Sequence, residues 1–486
     1  MKEPTMSVLN PEQRSIEYVP LHERHGRASS LFTLWFGANL QVTAIAAGAI
    51  SVAIGLSLPW ALLASLVGNL IGAVFMALHS AQGPILGIPQ MIQSRAQFGF
   101  YGAVLPLVLV ILMYVGYFAT TAVQGGAAFS SLTGVGIDPS IIIVVALTVV
   151  LTIFGYRLIH ASEKWLSVIS GLAFVYLSYR LVTTNDLSAA WHAGAFSWAQ
   201  FLAATAIAAT WQLTYAPYVA DYSRYLPADT SVRASFWFTY AGAVTSTMFM
   251  FAFGAGATAV AADAFAGGSV DFIVNQAAGW HALFFLIIIA GVIGVNSLNL
   301  YGMFMSTTTV LNSVFKLKVS PLLRAMLIVI VAAVATTIGL VGKDNFLTNF
   351  SNFILLLAYF LIPWTSINLA DFYVVRKERY SVDDMFKPRG HYGGVDWRAM
   401  TAYLVGIVVE VPFIASPFYT GPVASRLDGA DISWILGIFV AGGLYIFLMK
   451  RFPTRSGYPA PTFAIPSHPS PHAAQSTAGE QEAAPA

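Results

Sequence analysis

Two carboxamides stand close together in the stretch GVNSLNLYG (Gly294–Gly302): Asn296 and Asn299, with Ser297 between them. Positions i and i+3 of a helix share a face, so the pair presents its side chains in one general direction. Each amide carries N–H donors and an acceptor oxygen on one plane. That pattern complements a ligand edge with N–H beside C=O, or with a ring nitrogen beside an exocyclic amine. A second polar face lies in YVGYFATTAVQGGAAF (Tyr114–Phe129), where Tyr117, Thr121 and Gln124 follow the spacing i, i+4, i+7. WFGANLQVT (Trp35–Thr43) adds Gln41, and WQLTYAPYVADYSRYLP (Trp211–Pro227) adds Trp211 and Tyr215. Aromatic rings of this set can stack on a planar ring. Gln41, Tyr117, Thr121, Asn299 and one of the two aromatics, Trp211 or Tyr215, make walls for a flat, neutral, polar heterocycle. The spacing leaves open which of the two aromatics faces it.

These residues sit in a chain that water cannot surround. Of 486 residues 57% are hydrophobic and 9% charged, and the mean hydropathy is +0.71. Soluble domains carry about 25% charged residues, so the chain is read as an integral membrane protein. A net charge of +2 gives no footing for nucleic acid, and the absence of cysteine removes disulfides, thiolate metal sites and a cysteine nucleophile. Segments of about 20 apolar residues span a bilayer as helices. Twelve are found, at 31–56, 58–79, 103–130, 139–156, 164–184, 199–220, 234–262, 281–304, 322–342, 348–370, 399–418 and 432–450, numbered here as spans 1 to 12. No alternation of the kind that marks barrel strands recurs, so the fold class is all-α. The first apolar run is too long, and follows too polar a stretch, for a cleaved signal peptide.

Placing both termini in the cytoplasm puts 21 of the 24 Lys and Arg on that side, leaving Arg180, Lys343 and Arg426 outside. A multi-pass protein of the cytoplasmic membrane is therefore expected. The segment 371–398 carries paired charges and reads as a structured cytoplasmic connector, and 1–30 as a cytoplasmic tail. Residues 451–486, rich in Pro, Ser and Ala, read as disordered.

Unpaired backbone in lipid survives only where it is buried or lines a cavity. Span 1 is interrupted by Gly37, Asn39 and Gln41, and span 6 by Pro217, which removes a backbone donor. Each alone would be an ordinary kink. Five spans apart, they predict an inverted repeat with discontinuous helices at a midplane site. The first repeat is then 31–184 and the second 199–370, with spans 11 and 12 (399–450) peripheral. Spans 3 and 8 pair by the same offset. Gly125 and Gly126 read as a close helix–helix seam. A single Asn is accounted for as helix glue, worth about 0.6 to 2 kcal/mol, more readily than two together.

Four stretches carry a family resemblance: GPILGIPQMIQSRAQFGFYGA (Gly83–Ala103), YAPYVADYSRYLP (Tyr215–Pro227), NSLNLYG (Asn296–Gly302) and ADFYVVRKERYSVDDMFKPRGHYGGVDWRA (Ala370–Ala399). Over most of 20–450 the chain resembles the nucleobase–cation symporter family, purine–cytosine permease branch. The resemblance implies the leucine-transporter fold, five-plus-five inverted repeats with two peripheral helices. It also implies a stacking aromatic at Tyr117, a polar partner at Thr121, a substrate-reaching Gln41, Trp211 or Tyr215 on span 6, and Asn299 with its neighbour Asn296 on span 8. Sodium-coupled members place two hydroxyl residues on span 8, where this chain has Ile293, Gly294 and Val295. Oxygen ligands for a hard cation would then come from the carbonyls of Gly37 and Leu40, with Ser297 reachable by a register shift. The expected coupling ion is thus a proton, with sodium second.

Intramembrane acids are functional by default, and Glu410 in YLVGIVVEVPF is the carboxylate deepest within a span. It is the candidate for the coupling proton. Because spans 11 and 12 are peripheral in the implied fold, pairing with a neighbouring helix or an oligomer partner stands ahead of that role. Asp221 and Asp371 read as gate or interface ion pairs with Arg224 and Arg376, and His79 as interfacial. No HExxH, GxSxG or dinucleotide motif is present, so the chain is read as no enzyme, without cofactor or resident metal. The expected activity is import of a nucleobase, cytosine or a purine such as adenine, hypoxanthine or guanine, by alternating access. The alternative is a related heterocycle: allantoin, a hydantoin, uracil or a vitamin precursor. The partners expected are that small molecule and the lipid bilayer; the oligomeric state stays open.

Overall fold

The computed structural model describes residues 17–154, 156–192, 195–315, 320–416 and 418–453. Eleven of the twelve apolar segments coincide with a helix or a helix pair; in span 11 the helix Trp397–Glu410 stops short of the expected end, and Ala415–Ser416 pairs with Tyr419–Thr420 in a short hairpin. Seven helical runs are long and apolar enough to cross a membrane, or eight if the bent pair of span 1 counts as one. One of the seven, Leu322–Val375, is 54 residues long. At about 1.5 Å per residue it exceeds twice the bilayer core, and it divides at Lys343–Asn345 into the helices of spans 9 and 10. The chain is a multi-pass membrane protein. The tail expected to be disordered lies outside the described residues from 454 onward. So do Lys2, Arg14, Lys316, Lys318 and Arg455 of the charge pattern.

Both expected interruptions are present. Span 1 consists of helices Ser30–Ala38 and Val42–Ala53, which meet at 64°. The carbonyls stranded by the break are capped locally: Asn39 Nδ2 donates to the Trp35 carbonyl at 3.0 Å and Gln41 Nε2 to that of Ala38 at 3.1 Å. A helix end inside a membrane needs such partners. Span 6 runs as helix Trp198–Leu213, turns through Thr214–Tyr218 around Pro217, and resumes as Val219–Ser223.

Spans 3 and 8 pack along each other, as do spans 2 and 6, and the second half of span 1 lies against span 7. Small residues set the distances. A side chain at Gly48 would strike the Phe251 backbone, and one at Gly254 the Ile45 carbonyl. Gly125 faces Val292 of span 8 and Gly126 faces Ile141 of span 4, the seam expected of them. Two apolar cores result, one about spans 1, 5, 6 and 7 and one about spans 3, 8, 10, 11 and 12, with Tyr117 and Tyr218 against both.

One end of the molecule is laced by arginines. Arg24 donates to the Pro84 carbonyl, Arg224 to that of Glu17, Arg95 to Ser313 Oγ, and Arg398 to the Phe452 carbonyl. Residues 17–24, the 2–3 loop, the ends of spans 6, 8 and 12 and the connector therefore share that end. Arg180 ties to the Gln276 carbonyl and Lys343 to Asp138 at the other.

At the arginine end His79 departs from expectation. It is fully buried, stacked on Trp364 with ring centroids 5.0 Å apart, and its Nδ1 lies 3.1 Å from Gln90 Nε2. The reason is that helix Gln90–Phe98, buried along its whole length, folds over the end of span 2. Asp371 and Arg376 form the expected ion pair at 3.0 Å, buried, with the carboxylate also accepting from Gln97, Tyr380 and Tyr445. Asp221 accepts the backbone N–H of Gln90 at 2.7 Å, and Arg224 donates to the Asp221 main-chain carbonyl.

Candidate functional site

The two helix breaks meet, and Asn39 joins them. Its Oδ1 accepts from Trp211 Nε1 at 2.8 Å and from the Tyr215 hydroxyl at 2.9 Å, while its Nδ2 caps span 1. Gln41 Nε2 approaches the Tyr215 hydroxyl at 3.5 Å. Beside this junction lies a cavity of about 780 Å³, within the usual range of about 300–1,000 Å³ for small-ligand sites. It extends from the breaks along the first helix of span 1 as far as Ser30, beside span 5. Phe350 and Phe353 of span 10 pack against Tyr117, ring centroids 6.3 and 5.3 Å away.

Gln41, Tyr117, Thr121, Trp211, Tyr215 and Asn299 all line this cavity. They come from spans 1, 3, 6 and 8, so only tertiary packing assembles them. Both span 6 aromatics are in the wall, Trp211 meeting Tyr117 edge to face at 5.9 Å. The Tyr117 hydroxyl donates to Thr214 Oγ1 at 3.1 Å, which donates onward to the Trp211 carbonyl at 2.7 Å. Thr121 and Thr43 hydroxyls lie 3.4 Å apart.

Asn296 is not in the wall. It is fully buried, with Nδ2 donating to the Phe118 carbonyl at 3.1 Å and Oδ1 accepting from Asn299 Nδ2 at 3.3 Å. Residues three apart on a helix differ by about 60° in direction. With Asn299 aimed at the cavity, that rotation turns Asn296 into the seam with span 3.

Among the cation candidates, Gly37 and Leu40 border the cavity. Ser297 does not, because its hydroxyl donates back to the Ile293 carbonyl at 2.8 Å within its own helix. A hollow of about 20 Å³ beside Leu40, Thr43, Thr121 and Ser170 has room for a single water. Among the described residues no cluster of His, Asp or Glu could hold a metal ion. Glu410 lies elsewhere, fully buried against Gly437 of span 12 and within electrostatic reach of Asp431. Neither carboxyl oxygen has a hydrogen-bond partner among the described residues.

Five residues contribute to the site without having been among its sequence-based candidates. Asn39 holds the junction, Thr214 fixes the Tyr117 hydroxyl, and Tyr114, Tyr218 and Tyr222 separate the main cavity from a second one of about 480 Å³ toward the arginine end. Asn39 and Thr214 each stand at a helix break, and that position was the available signal.

Comparison with known proteins places this site in a family. The model of a family described as permease for cytosine/purines, uracil, thiamine, allantoin matches residues 18–437. The chain is 46% identical to the Bacillus subtilis protein YxlA, which carries the name of a purine–cytosine permease, over 93% of this chain and 98% of that one. It is 25% identical to the purine–cytosine permease fcyB of Emericella nidulans, over 90% and 88%. Among solved structures it is similar to Mhp1, a nucleobase–cation symport family transporter, in a closed conformation with bromovinylhydantoin bound: TM-score 0.73, 21% identity, covering 92% of this chain and 97% of that one. The inward-facing conformation of Mhp1 matches at TM-score 0.73 and 22% identity, over 93% and 95%. These likenesses establish the leucine-transporter type of fold, with its paired broken helices and peripheral additions. The protein is a membrane transporter and no enzyme, and the chain belongs to the family of permeases for cytosine/purines, uracil, thiamine and allantoin.

Proposed function

We propose that the protein is a proton-driven symporter importing a nucleobase, cytosine or a purine, across the cytoplasmic membrane by alternating access. The observation that carries this is the wall itself. Two amides, Gln41 and Asn299, and three aromatic rings, Tyr117, Trp211 and Tyr215, converge on one cavity where two helices are broken. Amide edges and ring faces suit a flat heterocycle with mixed donors and acceptors. Membership of the permease family and the names of YxlA and fcyB support a nucleobase. With the arginine-laced end facing the cytoplasm, the cavity opens inward.

Proton coupling is favoured because the span 8 positions Ile293, Gly294 and Val295 offer no hydroxyl ligand, and Ser297 lies outside the cavity wall that Gly37 and Leu40 border. Glu410 remains the candidate for the proton, acting through the packing of spans 11 and 12 and not from the cavity. The carbonyls of Gly37 and Leu40 remain the alternative, as part of a sodium site.

The test is radiolabelled cytosine uptake into proteoliposomes, under an inward proton gradient without sodium and under a sodium gradient at equal pH. Accumulation driven by protons alone is expected, and Asn299→Ala abolishes it. Glu410→Gln is expected to stop accumulation while leaving exchange of labelled for unlabelled base; undiminished accumulation would remove Glu410 from the coupling path. Sodium dependence would overturn the proton assignment. A cavity of about 780 Å³ is roomier than one ring requires, which favours as second reading a heterocycle that carries a side group, such as allantoin with its ureido arm, a substituted hydantoin or a vitamin precursor. Uptake of those, with cytosine and purines silent, would establish it.

A further inference from the structure

We infer that Asn296, which does not touch the cavity, fixes the direction in which Asn299 reads its ligand and so makes the site select amino over oxo heterocycles. The inference rests on the heterocycle reading of the cavity given above. Its basis is a chain of hydrogen bonds that ends on a group with one sense only. A backbone carbonyl accepts and cannot donate. The Phe118 carbonyl, 178 residues away from Asn296 in sequence, therefore requires the NH₂ side of the Asn296 amide, 3.1 Å away. The Asn296 oxygen must then face Asn299, and it accepts Asn299 Nδ2 at 3.3 Å. What Asn299 has left for a ligand is its oxygen and a single N–H.

The same logic holds around the wall. Gln41 Nε2 is anchored on the Ala38 carbonyl, leaving Gln41 Oε1. The Tyr117 proton runs through Thr214 to the Trp211 carbonyl, leaving lone pairs on the Tyr117 oxygen. Trp211 Nε1 and the Tyr215 proton are both spent on Asn39. Gln41, Tyr117 and Asn299 therefore offer three acceptors, Gln41 Oε1, Asn299 Oδ1 and the Tyr117 oxygen, against one donor from Asn299, while the Thr121 hydroxyl, 3.4 Å from that of Thr43, can serve in either sense. The ligand that matches is a planar ring with several N–H groups and one acceptor beside a donor. Cytosine and adenine each carry three N–H bonds and present a ring nitrogen beside an amine. Uracil and hypoxanthine carry two, and invert that edge at the same ring geometry.

Removing Asn296 frees the Asn299 amide to turn over and exchange acceptor for donor. Displacement of radiolabelled cytosine, and separately of radiolabelled adenine, from purified protein by all four bases reads this out. The wild type should favour cytosine over uracil and adenine over hypoxanthine. Asn296→Ala should shrink those ratios by about tenfold, the effect of one hydrogen bond read in the wrong sense. Asn296→Asp should retain them, because a protonated carboxyl donates its O–H to the Phe118 carbonyl and accepts from Asn299. That variant and the wild-type ratios keep the test decisive if the alanine protein fails to fold. A wild type that binds bases but does not discriminate within either pair overturns the inference, as does Asn296→Ala binding more weakly with unchanged ratios, the mark of mere helix glue. A wild type that binds none of the four bases defeats the nucleobase reading itself.

Discussion

Asn39 is the residue on which the site's geometry depends most. It accepts two buried donors from span 6 and caps the first helix of span 1, so it holds two discontinuous helices in one register. Leaving a buried polar group unpaired costs about 1–3 kcal/mol. Asn39→Ala strands Trp211 Nε1 and the Tyr215 hydroxyl together. We expect a clear fall in melting temperature of the detergent-purified protein and a loss of uptake greater than tenfold, because the released Tyr215 also frees Gln41. Wild-type uptake in this variant would reduce Asn39 to a local helix cap.

At the scale of elements, the second half of span 1 and span 7 form one unit because glycine lets their backbones touch. Gly254 lies under the Ile45 carbonyl and the Ala49 amide, and Gly48 under the Phe251 backbone. A backbone cannot yield as a flexible side chain can, so the helices must separate if a Cβ is introduced. Overpacking of this kind costs about 1–3 kcal/mol or more. Gly254→Val is expected to lower the melting temperature and to impair transport by displacing Gln41 at the start of the facing helix, Val42–Ala53. Gly443→Ala in span 12, with no heavy atom within 4 Å of the added carbon, is the matched control and should leave both unchanged.

The whole molecule is gathered at its arginine end, where the connector 371–398 packs on helix Gln90–Phe98 through Tyr380, Val382, Met385 and Tyr392. His391 belongs to this region. Burial pushes its pKa down from 6.5, the Arg376 charge pushes the same way, and Asp384 opposes both. A histidine depressed in the folded state binds fewer protons there than when unfolded. Stability must therefore rise with pH across the window just below 6.5 and fall as the medium is acidified through it. The melting temperature should drop between about pH 7.5 and about pH 5.5. His391→Gln should flatten part of that drop, and an unchanged slope would clear His391 of the effect.

Much was legible without coordinates because it depends on local physics. The cost of apolar surface in water and of bare backbone in lipid fixed where helices run and where Pro217 and the Gly37–Gln41 stretch must interrupt them. The same constraint singled out polar residues in apolar runs, and six of the seven proposed for substrate line one cavity. Rotation and partnership are not local. Asn296 turns into a seam because of a carbonyl on span 3, and His79 is buried because a helix after it folds back over span 2. Glu410 faces Gly437 and not the cavity. Sequence periodicity gives the angle between two residues on a helix. The direction that angle is measured from, and the sense of every amide in the wall, come only from what packs against it.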